Sequence, residues 1–379
     1  MIVAALVVAL PLLGTLGPGQ EGPLPDGGAR PVVVRAELAA PSAGDRLLEA
    51  RLVVDAHDAD GIVAYEYRWN RATLGPIRRT DARHPTVSFL GLEPATRYAL
   101  EVRAVDGRGW RSPWVPAFAG ETPPPPVVVV AGDSVASGYH KAAFLLPGTC
   151  RDESWSYGRA LVDELAGRLG EAWRPRLRLV AWPGAGVEHL LAGGADSCGT
   201  SHPPQLDEIE DLVDPATWNV VVVTAGVNST NWVDVVTVLT RDTALALDER
   251  ADAEACRRAV AERWDLPARR DALADEVARA VAALEATGSR VVWTGYYGID
   301  GTRLVPGWTP IGEECAALMA LALDDLHRVI RRGLAGRATW VELGHVPVST
   351  QWWAGWPHPD AEGHRRIGTE VAAAIPVAG

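Results

Sequence analysis

The chain divides into two stretches that differ in the spacing of their apolar positions. Up to about residue 120, short runs of alternating apolar and polar residues are separated by turn-forming clusters. Such alternation is typical of strands that bury one face, and the close spacing of the runs predicts an all-β sandwich. The runs are RPVVVRAEL, RLLEARLVVDAH, AYEYRWN, TVSFLGL and RYALEVRAVD.

The second stretch alternates buried strands with amphipathic helices. Five apolar runs predict strands: VVVVAGD, RLRLVAW, NVVVVTAG, RVVWTGYY and ATWVEL. Apolar residues between and after them recur with helical spacing. This alternation predicts a five-stranded parallel sheet with helices on both faces, in which ligands bind beyond the carboxyl ends of the strands. The long segment 229–266 predicts a partly helical insertion near that site.

Four consecutive prolines separate the two stretches. They favour a stiff extended spacer and cannot continue a helix or a central strand. We therefore expect one domain over residues 30–122, a proline linker over 123–126 and a second domain over 127–379. Residues 1–20 open with an uncharged apolar run and predict a secretory signal peptide. A short membrane anchor or a buried first strand or helix is the alternative.

Charge and cysteine content limit the classes of function. With 36 basic and 48 acidic residues the net charge is −12, which repels nucleic acid. Neither histidines nor cysteines show metal-ligand spacing, so we expect no metal and no other cofactor. An even number of cysteines in an exported chain favours disulfides. Of three possible pairings we favour Cys150 with Cys198 and Cys256 with Cys315. Each bond would pin a loop or an insertion between core elements, and free buried cysteines are the alternative.

Residue types suited to acyl transfer follow the predicted strands. Ser134 stands in AGDSVASG, where a turn after the first strand would expose its hydroxyl to a substrate. A glycine N–H in AWPGAG and an asparagine amide in TAGVNST could stabilise a developing oxyanion. The motif WPHPDAEGH brings His358 to the same rim. Taken singly, such residues can also cap a helix, permit a positive φ or close a turn.

The order of these four motifs resembles the four blocks of the SGNH (GDSL-type) hydrolases, which are secreted esterases and lipases on a flavodoxin-like sheet. The resemblance covers residues 127–376 and implies a three-layer α/β domain. It implies Ser134 as nucleophile and first oxyanion donor, Gly184 and Asn228 as the other oxyanion donors, and His358 as the base. Cys150, which precedes SWSYGRAL, further resembles the disulfide-bearing secreted branch of the family.

Two details of the oxyanion motifs stay open. Gly186 competes with Gly184 as the main-chain donor, and only geometry can decide between them. Ser229 follows Asn228 at a position where the family usually has aspartate. We expect a neighbouring structural hydrogen bond to be rearranged there while the oxyanion donor is retained.

The histidine motif also departs from the family pattern. Gly355 stands where the family normally has the aspartate that orients the base, and some members use a main-chain carbonyl instead. A carbonyl only accepts hydrogen bonds, so it still selects the tautomer with Nε2 free. We therefore expect a serine–histidine dyad in which a carbonyl at or beside Gly355 orients His358, with Glu342 or Asp360 as alternatives. His364 is expected at the surface, in the first turn of the last helix.

The first domain carries a second resemblance. The stretch LGLEPATRYALEVRAVDGRGWRSPW resembles the last strands of a fibronectin type III domain. Its Leu-x-Pro-x-Thr-x-Tyr pattern is filled by Leu92, Pro94, Thr96 and Tyr98. The resemblance implies a fibronectin type III-like sandwich that acts as a spacer or contacts polysaccharide or the cell surface.

Together, the resemblances imply a secreted or cell-surface bacterial serine esterase. The expected substrates are carbohydrate, cell-surface or lipid acyl esters, small or polymer-linked, and the expected intermediate is an acyl-enzyme. We expect a monomer that does not bind nucleic acid. The alternative is an extracellular binding or adhesion protein whose hydrolase-like domain has lost activity, with Gly355 and Ser229 as signs of decay.

Overall fold

The computed structural model describes most of both predicted domains. The described residues are 29–140, 150–232, 235, 254, 256–258, 260–262, 264–298, 313–346, 348 and 358–378, with backbone only for 313–316. The predicted signal peptide, most of the insertion 229–266 and Gly355 lie outside the described residues. In the described part of the chain, no helix is both long enough and apolar enough to cross a membrane.

Seven antiparallel strands build the first unit, which we call the β-domain (residues 32–121). They are β1 (Val32–Leu38), β2 (Glu49–His57), β3 (Ile62–Asn70), β4 (Arg78–Asp81), β5 (Thr86–Ser88), β6 (Arg97–Asp106) and β7 (Val115–Glu121). One sheet has the order β1-β2-β5 and the other the order β4-β3-β6-β7. Trp69 on β3 packs against Phe89 just after β5, with ring centroids 5.0 Å apart, so both sheets share one core.

The second unit, which we call the α/β domain (residues 127–378), is built around a parallel sheet. Its strands are β8 (Val127–Gly132), β9 (Arg176–Leu179), β10 (Gly194–Ala195), β11 (Ser201–His202), β12 (Asn219–Thr224), β13 (Arg290–Thr294) and β14 (Thr339–Val341). The α-helices whose bounds the structure describes are α1 (Tyr157–Leu169), α2 (Gln205–Leu212), α3 (Leu266–Ala286), α4 (Glu313–Leu334) and α5 (Ala361–Ala374).

Five of these strands form the predicted sheet. Their order is β14-β13-β12-β8-β9, and every pairing is parallel, which confirms the expected five-stranded parallel sheet. The two central strands, β8 and β12, are mainly valine and are buried along their whole length, as strands covered on both faces must be. Helix α1 contacts β8 and β9, α2 contacts β8, and α3 contacts β13. Helix α5 packs against α1, and α3 packs against α4.

The β-domain packs against the amino ends of the parallel strands. Trp218 immediately precedes β12, and its indole N–H donates to the Glu49 carbonyl at 3.1 Å. Trp173 precedes β9 and donates in the same way to Leu92 at 2.7 Å. Phe89 lies between them, with its ring centroid 5.2 Å from that of Trp218. The β-domain therefore lies at the amino ends of the parallel strands, and the predicted site lies at their carboxyl ends.

Residues 376–378 of the α/β domain complete this interface. The Leu47 N–H donates to the Pro376 carbonyl at 3.1 Å, and the Ala378 N–H donates to the Leu47 carbonyl at 2.8 Å. Pro126, the last residue of the proline run, is buried. The prolines therefore join two units that are in direct contact.

The aromatic interface predicts that the two units unfold together. Phe89 is 1 % exposed and contacts Trp173 and Trp218, so Phe89→Ala should lower the free energy of unfolding by ~3–5 kcal/mol. Urea unfolding followed by circular dichroism should show one transition at a lower midpoint. Phe118→Ala is the control for a loss of aromatic packing that does not involve the α/β domain, because Phe118 contacts Trp69 within the β-domain. If the β-domain of Phe89→Ala unfolded in a separate first transition, and the α/β domain unfolded later at the wild-type midpoint, the prediction that the two units unfold together would be wrong.

Candidate active site

Ser134 lies in a tight turn at the carboxyl end of β8. The turn begins at Gly132, whose φ is +114° and whose Cβ, if present, would lie 1.9 Å from the Thr224 carbonyl oxygen. Only glycine fits this close approach. The buried Gln205 side chain binds both main-chain groups of Gly132, accepting its N–H at 2.7 Å and donating to its carbonyl at 2.9 Å. The start of the turn is thus fixed by two neighbouring elements.

The carboxylate of Asp133 is entirely buried beneath this turn. Its Oδ1 accepts the N–H of Val135 at 2.9 Å, and its Oδ2 accepts the hydroxyl of Tyr296 at 2.6 Å. Burial raises the pKa of Asp133 from 3.8 to about 7, although these hydrogen bonds oppose the rise by favouring the ionised form. Asp133 therefore titrates near neutral pH, directly beside Ser134.

The hydroxyl of Ser134 contacts the imidazole of His358. The distance from Ser134 Oγ to His358 Nε2 is 2.8 Å, although the two residues are far apart in sequence. With the imidazole proton on Nδ1, Nε2 can accept the hydroxyl proton. The Tyr139 ring packs edge-on against the imidazole, with centroids 4.9 Å apart, and its main-chain N–H donates to the Ser134 carbonyl at 3.1 Å. The structure thus brings the predicted nucleophile and base together.

Of the three expected orienters of His358, Glu342 has other partners. Its oxygens accept the indole N–H of Trp340 at 3.2 Å and the N–H of Gly344 at 3.1 Å. Its Oε1 also lies 3.5 Å from Nδ1 of His327. Glu342 therefore belongs to a separate group of contacts with Trp340, Gly344 and His327.

Asp360 has a structural role at the start of α5. Its Oδ1 accepts the N–H of Gly363 at 2.7 Å, which confirms the sequence interpretation of Asp360 as an N-cap. The third expected orienter, the Gly355 carbonyl, lies outside the described residues.

The prediction that His364 lies at the surface is wrong. Its side chain is buried, because it shares a helix face with Ile367 and Val371 at spacings of three and seven residues. Burial, together with the nearby His358 and His140, lowers the pKa of His364 to about 3. His364 is therefore a neutral core residue of α5. The helical periodicity in the sequence already carried this signal.

The geometry separates the two glycines that compete for the oxyanion role. The Gly186 N–H donates to Nδ1 of His189 at 2.9 Å and is therefore engaged. Gly184 has a φ of +88°, and among the described residues no group accepts a hydrogen bond from its N–H. Asn228 donates one amide hydrogen to the Ala185 carbonyl at 3.1 Å, which leaves its second amide hydrogen available.

Ser229 joins the two oxyanion motifs. Its Oγ accepts the N–H of Val187 at 2.7 Å and donates to Glu188 Oε2 at 2.9 Å. Its carbonyl accepts a hydrogen bond from Arg269. The Ser229 hydroxyl and the neighbouring Glu188 carboxylate therefore connect the loop that carries Asn228 to the segment that begins at Val187.

A disulfide-bonded hairpin lies against the oxyanion loop. The structure joins Cys150 to Cys198, the pairing that the sequence favoured. Strands β10 and β11 flank Cys198 and pair with each other. Beside Cys198, the Ser197 N–H donates to the Pro183 carbonyl at 3.0 Å, and its hydroxyl lies 2.8 Å from the position that a Cβ on Gly184 would occupy. This hairpin was not predicted.

Two groups of the described residues, one with cysteines and one of aspartates alone, lie close enough together to be considered as metal ligands. Cys256 is also disulfide-bonded, whereas its predicted partner Cys315 is among the residues described by backbone alone. Asp196 lies near Cys150 and Cys198, but their sulfurs are bonded to each other and cannot act as thiolate ligands. A second acidic group, in the β-domain, contains Asp58, Asp60 and Asp106.

Three residues that shape the site were not predicted from the sequence: Gln205, Tyr296 and Glu188. Each acts through a side-chain hydrogen bond to a residue on another element. Tyr296 carried the clearest signal, because it follows a predicted strand at the edge where the motifs meet. Nothing local distinguishes Gln205 or Glu188 from ordinary surface residues of a helix or a loop.

Comparison with known proteins gives similarity only to solved structures. No family model matches the sequence, and no curated protein matches it. An extracellular lipase from Streptomyces rimosus is 19% identical with a TM-score of 0.43, covering 66% of this chain and 99% of the lipase. A phospholipase A1 from Streptomyces albidoflavus is 20% identical with a TM-score of 0.43, covering 66% and 99%. A mutant acetylxylan esterase from Geobacillus stearothermophilus is 14% identical with a TM-score of 0.35, covering 67% and 97%.

The bridge formed by Ser229 can be tested through stability. Ser229 is 1 % exposed, so Ser229→Ala should leave the Val187 N–H and the Glu188 carboxylate without this partner and cost ~1–3 kcal/mol in urea unfolding. Ser229→Asp should cost more, because it adds a second carboxylate beside Glu188. The double variant Ser229→Asp/Glu188→Gln should recover much of that loss. Equal stability of the Ser229→Asp single and double variants would show that Glu188 is not the partner.

Proposed function

We propose that the protein is a serine esterase that hydrolyses carboxylic esters through an acyl-enzyme. The observation that carries the proposal is the 2.8 Å contact between Ser134 Oγ and His358 Nε2 at the carboxyl edge of the sheet. Two further features support it. The oxyanion motifs converge at the same edge, and a nucleophile with a base in hydrogen-bond reach is the arrangement that activates a serine.

In the first step, Ser134 Oγ attacks the ester carbonyl carbon while its proton passes to His358. The carbonyl oxygen becomes an oxyanion, for which the N–H groups of Ser134 and Gly184 and the amide of Asn228 are the donors. Among the described residues, neither of these two N–H groups has a hydrogen-bond partner. His358 then gives its proton to the alkoxide as the C–O bond breaks, and the alcohol leaves.

In the second step, water hydrolyses the acyl-enzyme. His358 accepts a proton from the water as its oxygen attacks the acyl carbon, and the same donors bind the second oxyanion. The proton returns to Ser134 Oγ as the acyl–oxygen bond breaks. The products are a carboxylic acid and the free enzyme, and no cofactor enters either step.

We propose that a main-chain carbonyl at or beside Gly355 accepts the His358 Nδ1–H. The partners of Glu342, which are Trp340, Gly344 and His327, argue against Glu342 in this role. Asp360, whose Oδ1 accepts the Gly363 N–H at the helix cap, remains the competing acceptor. A neutral acceptor still fixes the tautomer that leaves Nε2 free to take the serine proton.

The setting of the enzyme is part of the proposal. Disulfides support export, and we propose a secreted or cell-surface monomer that acts on carbohydrate, cell-surface or lipid acyl esters. The sheet orders β1-β2-β5 and β4-β3-β6-β7 support a fibronectin type III-like β-domain. Because that domain packs at the amino edge of the parallel sheet, any polysaccharide bound to it would lie away from the candidate active site.

The dyad predicts a loss of activity without a loss of fold. Ser134→Ala and His358→Ala should each remove nearly all hydrolysis of short p-nitrophenyl esters, and Ser134→Ala should abolish labelling by a fluorophosphonate. His57→Ala, which changes an exposed histidine of the β-domain, is the control and should retain full activity. An active Ser134→Ala enzyme would end the proposal. A folded wild-type protein that resists labelling would instead support the alternative of an inactive binding protein.

The oxyanion role predicts a defined cost for the asparagine. Asn228→Ala should lower kcat about 10²- to 10³-fold, the usual scale for one oxyanion donor. Asn228→Asp keeps the shape but replaces the donor by a negative charge, so it should be at least as damaging. Steady-state kinetics and thermal unfolding of both variants provide the measurement. A kcat close to that of the wild type in Asn228→Asp would contradict the assignment.

A further inference from the structure

One buried tyrosine hydroxyl links the two halves of the candidate site. Tyr296 lies just beyond the end of β13, and its side chain is buried. Its hydroxyl donates to Asp133 Oδ2 at 2.6 Å and accepts the N–H of Val227 at 3.2 Å. Asp133 directly precedes Ser134, and Val227 directly precedes Asn228. The same hydroxyl therefore contacts both the nucleophile turn and the oxyanion loop.

Tyr296 is itself held from the opposite side. Its main-chain N–H donates to His327 Nε2 at 2.8 Å, and the two rings stack with centroids 6.2 Å apart and planes 13° apart. Because Nε2 accepts this bond, the proton of the neutral imidazole is on Nδ1, which faces Glu342. Burial lowers the pKa of His327, which favours this neutral form. The tyrosine ring therefore has little freedom to move its hydroxyl.

We propose that Tyr296 is a positioning residue for ester hydrolysis, an inference that rests on the proposed function. It keeps the turn that carries Ser134 and the loop that carries Asn228 in the relative geometry that an oxyanion requires. Such donors are effective because they are preorganised, and a displacement of about 1 Å can cost about a hundredfold in rate. Tyr296 acts through Asp133 and Val227 and touches none of the reacting atoms.

The surroundings of Asp133 provide a readout that a purely structural role would not change. The titratable side chains that face Asp133 are Tyr296 and Tyr297, which follow β13, and Tyr157 in α1. Burial raises the pKa of Asp133 to about 7, and the hydrogen bond from Tyr296 opposes the rise. Loss of this hydroxyl should raise that pKa further. The carboxylate would then become protonated at a higher pH. Because the ionised carboxylate is the stronger acceptor for the Val135 N–H in the turn that carries Ser134, the acid limb of the activity profile should move to higher pH.

The experiment compares Tyr296→Phe with Tyr157→Phe in the full chain. Both variants lose one buried hydroxyl, but that of Tyr157 contacts Thr224 Oγ1 at 2.9 Å instead of Asp133. Tyr296→Phe should lower kcat on short p-nitrophenyl esters about 10- to 100-fold, with KM nearly unchanged and the acid limb at higher pH. Tyr157→Phe should keep the wild-type kcat and pH profile, although it loses a comparable buried hydrogen bond.

The outcomes separate this inference from the proposed function. A wild-type enzyme that neither hydrolyses esters nor reacts with a fluorophosphonate overturns both. An active wild type in which Tyr296→Phe matches Tyr157→Phe in kcat and pH profile overturns the positioning role alone. If Tyr296→Phe folds poorly, Asp133→Asn tests the same bond from its other end. A wild-type kcat in Asp133→Asn would also contradict the inference.

Discussion

The parallel pairing of β8 with β12 determines where the candidate active site can form. The ladder runs from Val127 opposite Asn219 to Gly132 opposite Thr224, and both strands are buried throughout. Gly132 and Thr224, the last residues of the two strands, are paired with each other. The turn after β8 and the loop after β12 therefore begin side by side. The close approach at Gly132 brings the turn after β8 still nearer to β12. The polar groups of the candidate site therefore lie together beyond the carboxyl ends of these two strands.

The sequence predicted those elements whose signal is local. The valine runs of β8 and β12 predicted the sheet, and the rule that ligands bind at the carboxyl edge brought Ser134 and His358 to one rim. The structure places these two side chains in contact. For His364, the helical spacing to Ile367 and Val371 was a local signal of burial, and it outweighs the polar character of an imidazole.

The remaining parts of the site depend on hydrogen bonds between distant positions. Gln205 binds Gly132 across 73 positions, and Tyr296 binds Asp133 across 163. Neither periodicity nor a short motif encodes such a pair, because the partners meet only after the sheet order is set. The bond from Ser229 to Glu188 is a different case. The sequence drew attention to Ser229, because the resembled motif has aspartate there, but it could not identify Glu188 as the partner.

The bonds of Leu47 to Pro376 and Ala378 have a consequence for how the protein is made. They close a loop that contains most of the described chain, and residues 376–378 complete an edge of the β-domain, which is synthesised before them. Domains usually fold in the order of synthesis, N-terminal first. Here the β-domain can reach its final packing only after residues 376–378 have been synthesised, because Leu47 bonds to that segment. Its aromatic face likewise packs against Trp173 and Trp218, which are also synthesised after it.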